Sequence, residues 1–241
     1  MNKLLLKTTW DAEGIFRERP NRFLGIVDLN EEFGGPGQGV HIHDPGRLQE
    51  LLYPGNRVAL KRSTRPGRKT GWTLMAARHQ TQWILVNSGL HRQISHAVLT
   101  DPDISPLGQA DTIQAEINFG RSRLDYRIVL EDGSVVYVEV KGCTLSENRV
   151  ALFPDAPTSR GLRHIHELME IKTEGERAAM LILVFRQDID CFSPNGKTDP
   201  KFATAFYQAV KNGVEVYPMV CSCNSRGIWF EKNTVLCTAP A

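Results

Sequence analysis

Residues 122–142 read SRLDYRIVLEDGSVVYVEVKG, two alternating apolar–polar runs separated by Glu131-Asp132-Gly133-Ser134. Alternation with period two gives a strand one apolar and one polar face. An acidic-Gly tetrapeptide between two such runs is a strong hairpin signal. In Arg123–Leu130, Leu124, Tyr126, Ile128 and Leu130 share one face, and Arg123, Asp125 and Arg127 share the other. In Val135–Lys141, the valines at 136, 138 and 140 oppose Tyr137, Glu139 and Lys141. Closing the hairpin brings Asp125 towards Glu139 on the neighbouring strand, with Lys141 one strand step further. Two carboxylates and an ammonium on one sheet face could hold Mg²⁺, with Mn²⁺ as a substitute, because both are bound by oxygen ligands. Such an ion polarises a phosphodiester and acidifies a bound water, and the lysine orients that water. Asp125, Glu139 and Lys141 are therefore the candidate catalytic set. Asp125 and Glu139 are the candidate metal ligands, and Glu116 on the preceding strand is a further one. Charges alternating along the solvent face of a hairpin give the same pattern.

Around the hairpin the chain reads as α/β. A helix at Ser88–Leu99 precedes it, and a strand at Thr112–Phe119 leads into it. Residues 145–157 look irregular. Thr158 or Ser159 caps a helix to about Lys172. Ala178–Phe185 is an unbroken apolar run, the mark of a strand buried on both faces. A helix at Pro200–Lys211 stops at Asn212-Gly213, and a strand at Val214–Val220 follows. The start of the second helix, TSRGLRH, offers Arg160, Arg163 and His164 beside free N–H groups that attract phosphate. Gly142 directly after Lys141 permits a close approach by another segment of backbone.

The first 83 residues have a different texture. Short strands at Lys3–Thr8, Gly14–Glu18, Phe23–Leu29, Gly39–His43, Arg57–Lys61 and Trp72–Ala77 are divided by Gly and Pro, with one brief helix at Arg47–Tyr53. That is the pattern of a small barrel of OB type. Residues 1–83 hold 13 Lys and Arg against 8 Asp and Glu, and the remainder holds 16 against 19. This asymmetry suits a basic module beside an acidic one, even though the whole chain carries only +2. Arg17, Arg19 and Arg22 interleave with Phe16 and Phe23. Arg62, Arg65, Arg68 and Lys69 crowd a Pro-Gly loop before Trp72, itself assigned to the barrel core. With Arg123, Arg160 and His164, these are the candidate nucleic-acid contacts. Cations meet phosphates without reading bases, so little sequence specificity is expected.

No apolar run approaches the roughly 20 residues needed to span a bilayer, and no export signal is read at the start. Together these imply a cytoplasmic chain. The five cysteines, Cys143, Cys191, Cys221, Cys223 and Cys237, lack zinc-site spacing and are expected as free thiols. His41 and His43 lack further ligands for zinc and fit the end of a strand.

The segments VHIHDPGRLQELLYPG, VNSGL, SRLDY, YVEVKGCTL and FPDAPTSRGLRHIHEL together resemble the sugar fermentation stimulation protein A family. With MLILVFRQDIDCFSPN and VYPMVCSC, the resemblance covers nearly the whole chain. It implies an amino-terminal OB-like β-barrel (1–83) followed by a PD-(D/E)XK restriction-endonuclease-like mixed sheet flanked by helices (84–241). It implies non-specific DNA binding and a regulatory role in bacterial sugar (maltose) metabolism. The nuclease motif carries over onto Asp125, Glu139 and Lys141. An active Mg²⁺-dependent nuclease on DNA or RNA is the alternative. The helix at Ser88–Leu99 lacks the glutamate that many such nucleases place there, and Glu116 is the candidate substitute.

Overall fold

The computed structural model describes residues 2–64, 67–120 and 122–238. Strand β1 (Lys3–Leu6) opens the chain, and β2 (Ala12–Asn21), β3 (Leu24–Asp28), β4 (Gln38–His41), β5 (Arg57–Arg62) and β6 (Trp72–His79) follow. The last five pair in the order β4-β3-β2-β5-β6, and a parallel pairing of β4 with β6 closes them into a barrel. Phe16, Val27, Val40, Val58, Leu60 and Leu74 fill it, and Trp72 is buried with them as the sequence implies. The expected first strand is present, but it pairs with the carboxyl-terminal sheet and not with the barrel.

Residues 47–53 form an irregular segment with a turn at 49–51, not the expected helix. Leu48 adopts a φ of 50°, a left-handed conformation that helical residues do not use. The single turn Leu52 N–H to Leu48 O closes there. The N–H groups of Arg47 and Leu48 are taken by Asp155, more than 100 residues further along the chain.

Strand β7 (Gln82–Leu85) leaves the barrel and touches the main sheet. After it come α1 (His91–Thr100), β8 (Ala110–Phe119), β9 (Ser122–Leu130) and β10 (Val135–Cys143). Next are β11 (Leu145–Glu147), β12 (Val150–Phe153), α2 (Ser159–Thr173), β13 (Arg177–Val184) and β14 (Cys191–Pro194). The chain ends in α3 (Pro200–Lys211), β15 (Glu215–Asn224), β16 (Gly227–Asn233) and β17 (Val235–Leu236). The main sheet runs β7-β15-β13-β10-β9-β8 onward from the barrel. β13 pairs in parallel with β10 on one side and β15 on the other, and the β8-β9-β10 meander is antiparallel.

Strand β13 shows why its sequence does not alternate. Ala179, Leu181 and Leu183 join a core that includes Ile94 and Val98 of α1. Ala178, Met180, Ile182 and Val184 join another with Ile165 and Leu168 of α2 and Phe202 and Phe206 of α3. Helices on both faces require apolar residues on both faces. The segment expected to be irregular contains β11 and β12, which form a second sheet in the order β11-β12-β14-β17. Its strands have only four residues or fewer, too short for periodicity to register. This sheet also corrects the thiol expectation. Pairing of β14 with β17 brings Cys191 and Cys237 together as a disulfide, while Cys143, Cys221 and Cys223 are free and buried.

Candidate metal and nucleic-acid site

Strands β9 and β10 pair with Tyr126 opposite Val138. Extending that register by one step sets Asp125 against Glu139, as the hairpin implied. The contact is specific: Asp125 Oδ2 accepts the Val140 N–H at 2.7 Å, which fixes the carboxylate at the point where the two strands part. Glu139 is 2% exposed. Its Oε1 accepts hydrogen bonds from Lys141 Nζ and from His164 Nδ1. Its Oε2 is buried with no hydrogen-bond partner.

His164 sits on α2, whose amino end is fixed by Thr158 accepting the Gly161 N–H at 3.0 Å. Arg160 Nε faces the other ring nitrogen at 3.4 Å. A donor at Nε2 leaves Nδ1 as the protonated nitrogen, which then donates to Glu139. Burial thus corrects the expectation for His164. At 1% exposure it cannot meet nucleic acid, and it orients Glu139 instead. Arg160 remains exposed at the rim.

Burial raises the Asp125 carboxyl above its ordinary pKa, and the charge of Glu139 adds to that, against the pull of the Val140 N–H and Lys141. Burial also raises Glu139, but Lys141 and the His164 hydrogen bond outweigh it and hold this carboxyl below its usual value. Environment therefore separates the two acids.

Glu116 faces the same cleft from β8. It adopts a φ of 58° between the register pairs Ala115–Tyr126 and Ile117–Leu124, a conformation that costs a non-glycine residue about 1–3 kcal/mol. Its carboxylate is bound by Arg92 at 2.9 Å and Arg123 at 3.4 Å. The α1 position near the hairpin thus carries a cation, Arg92. Tyr126 holds that turn of α1, since its hydroxyl donates to Arg92 O at 2.8 Å and meets Ser95 Oγ at 2.8 Å. Among the described residues, no three His, Cys, Asp or Glu side chains form a group able to hold a metal by themselves.

Arg92, Glu116, Asp125, Tyr126, Glu139 and Lys141 line a cleft of about 710 Å³ between the barrel and the main sheet. Asp44, Gly46 and Leu48 form its barrel wall, and Asp155 through Gly161 form part of the opposite one. The sequence motifs HIHDPGR, VNSGLHR and FPDAPTSRG meet here. Ser88 Oγ donates to His43 O at 3.2 Å, and Asp155 binds the Arg47 N–H at 2.7 Å. Gly142 admits a side chain, not the backbone segment expected. The His91 ring lies so close that a Cβ on residue 142 would stand 2.1 Å from His91 Cε1. That ring stacks on Phe185 with centroids 5.3 Å apart, and burial, with the charge of His43, pushes its pKa down to about 4. Single-strand patterning had no means of finding His91, because its contact depends on how α1 crosses β10. The only hint is an HR dipeptide opening a helix within a motif.

The barrel arginines divide. Arg19 is a structural clamp: its guanidinium donates to the carbonyls of Arg22, Asp44, Gly46 and Arg47 at 2.7–3.0 Å. Those bonds take the donors a phosphate would need, which corrects the nucleic-acid expectation for that residue. Arg68 donates to Ser63 and Thr73, and Arg17 pairs with Asp28 at 3.1 Å. Arg22, Arg62 and Lys69 are exposed, with Arg62 stacked over Trp72 at 4.9 Å. Arg65 lies outside the described residues.

The SfsA N-terminal OB domain matches residues 18–86, and the sugar fermentation stimulation protein RE domain matches residues 89–227. The chain belongs to the sugar fermentation stimulation protein family. A homolog from Methanococcoides burtonii is 45% identical over 98% of this chain and 96% of its own length. The Thermotoga maritima homolog is 43% identical over 86% of each. Among solved structures, that of Pyrococcus furiosus SfsA in complex with Ca²⁺ aligns with a TM-score of 0.87 at 28% identity, covering 97% of this chain and 98% of the other. The family includes archaeal members, so it is not confined to the bacterial setting the sequence resemblance implied. No helix among the described residues is long and apolar enough to cross a membrane.

Proposed function

We propose that this chain binds DNA by its phosphates across the cleft, with residues 1–83 gripping the strand and residues 84–241 presenting a divalent cation held by Asp125 and Glu139. The observation that carries this is Glu139 Oε2, buried and unbonded beside a second carboxylate. An orphaned anionic oxygen costs free energy unless a cation meets it. Two carboxylates are the donors a hard ion takes, with water completing its shell. The Pyrococcus furiosus relative is described with Ca²⁺, which supports an ion of that class here.

When bound, the ion neutralises phosphate oxygens and acidifies a water. Glu139 is held for this by His164 and Lys141. Lys141 has three donors and uses one on Glu139, so another can face a phosphate. Arg92 lies on the same wall and Arg123 beside it, both held by Glu116, which we assign to positioning these cations and not to the metal. Arg22 and Arg160 supply charge at the rim.

The test is calorimetric titration of the intact chain with Ca²⁺. Saturable binding that Glu139→Gln abolishes is expected, together with DNA binding that weakens steeply with salt. Equal Ca²⁺ binding by wild type and variant would remove the metal assignment. The Lys141–Glu139 contact favours a second reading, phosphodiester hydrolysis with Mg²⁺ or Mn²⁺ on DNA or RNA. Cleavage that survives both Glu139→Gln and Lys141→Ala would place that activity elsewhere. A regulatory role in maltose metabolism would follow from DNA binding near such genes, and occupancy mapping in cells tests it.

A further inference from the structure

The turn between β2 and β3 has two residues, Arg22 and Phe23, since Asn21 pairs with Leu24. Phe23 is 52% exposed, yet its backbone is held on both sides. Its N–H donates to Asn21 Oδ1 at 2.9 Å, and its carbonyl accepts the Ile42 N–H at 2.9 Å. Arg19 binds Arg22 O at 2.7 Å while also holding the carbonyls of residues 44, 46 and 47 on the cleft wall. The turn is therefore fixed to the cleft edge, and Arg22 is part of the cleft lining. Phe23 contributes little to the barrel core, whereas Phe16 on the same hairpin is fully buried. An exposed ring on a fixed turn beside a cation is the arrangement that stacks a base while the cation meets its phosphate.

The accessibility of base faces distinguishes the nucleic-acid forms. About 710 Å³ lies in the range of small-ligand pockets, roughly 300–1,000 Å³, which is room for a nucleotide. Bases within a duplex hide their faces in the stack and offer none to Phe23.

Resting on the nucleic-acid reading above, we infer that the Arg22-Phe23 turn is a base-stacking site for a single strand, with Phe23 stacking an unpaired base next to the nucleotide in the cleft. The chain then prefers single-stranded or locally opened nucleic acid to intact duplex.

The test measures affinity of the intact chain, in Ca²⁺, for a short single-stranded DNA carrying one 2-aminopurine and for the blunt duplex of the same sequence. Tighter single-strand binding with quenching of the 2-aminopurine is expected. Phe23→Ala should weaken single-strand binding by about 5- to 150-fold, the range that stacking of one base spans. It should abolish the quenching, leave duplex affinity unchanged, and be rescued by Phe23→Trp. Single-stranded RNA of the same sequence should respond to Phe23→Ala in the same way. An unchanged single-strand affinity in Phe23→Ala, or equal losses on single strand and duplex, would overturn the inference while leaving phosphate binding intact. Absence of salt-dependent binding to either DNA by the wild type would instead remove the nucleic-acid reading on which it rests.

Discussion

The barrel and the main sheet use charge in opposite ways. In and beside the main sheet, polar groups are drawn inward and committed to each other: buried Glu139 to Lys141 and His164, and, in the loop after β13, buried Arg186 to partly buried Asp188 at 2.7 Å. On the barrel, Arg62, Lys69 and Arg22 stand in water. Exposed pairs are worth little, about 0–1 kcal/mol, whereas removing one partner of a buried pair is severe. The main sheet can therefore hold a defined constellation of ions, while the barrel offers adaptable cations to a polyanion. Charge density alone would have made the barrel look like the more specific half.

The largest expected effect tests the buried side of this contrast. Arg186 is 2% exposed, and its guanidinium binds both oxygens of Asp188 and the carbonyl of Thr144. Asp188→Ala leaves that cation buried and unpaired, and a loss of about 3–5 kcal/mol is expected, read by urea denaturation. The hydrogen bond from Arg186 holds the Asp188 carboxyl down to about 2. Its unfolded value is about 3.9. A depressed carboxylate contributes stability that is full above the unfolded value and lost as pH falls through the folded one. Wild-type stability should therefore drop between roughly pH 4 and pH 2 by more than that of Asp188→Asn, given those two values. Parallel acid profiles would show the pair to be inert.

Arg19 is the exception that sharpens the comparison, a barrel arginine used as the main sheet uses its own. Replacing it with Ala strands carbonyls in the cleft wall. Hydrogen bonds from a charged donor are worth about 1.5–3 kcal/mol each, so a loss near the upper end is expected. A change comparable with that of Arg62→Ala would dissolve the distinction. Slightly smaller is the effect of Gly142→Ala, about 1–3 kcal/mol for overpacking, because the new Cβ collides with the His91 ring. The double variant with His91→Ala should recover most of it. Additive losses in that cycle would mean the two sites are uncoupled.

These cases also show what could be read in advance. The Asp125–Glu139 opposition was legible because a hairpin with a short turn fixes register and side-chain parity together. The buried strand β13 and both later helices were legible from the apolar run, the Thr158 cap and the Asn212-Gly213 stop. His91, the Asp155 contact with Arg47 and the Cys191–Cys237 bond were not. Each joins residues more than 40 positions apart, and periodicity carries no information at that range. Arg17, Arg19, Arg22, Arg62 and Arg68 look alike as letters. Only the carbonyls around Arg19 and the hydroxyls around Arg68 separate structural arginines from exposed ones.

The smallest effects on stability should come from the exposed barrel cations, and this is where affinity and stability part. Lys69→Ala removes a solvated charge, and such surface changes lie within about 0.5 kcal/mol. Arg62→Ala removes the contact with Trp72, worth about 0.5–1 kcal/mol at an exposed site. Both should leave the urea midpoint nearly unchanged. If each meets one phosphate, each should lower the slope of log affinity against log salt by about 0.9. The loss should be the same for every DNA sequence tested, because phosphates carry no sequence. A loss that varied with sequence would make the loop a base reader, and an unchanged slope would take the loop out of the contact surface, leaving Arg22 and the cleft cations to hold the strand.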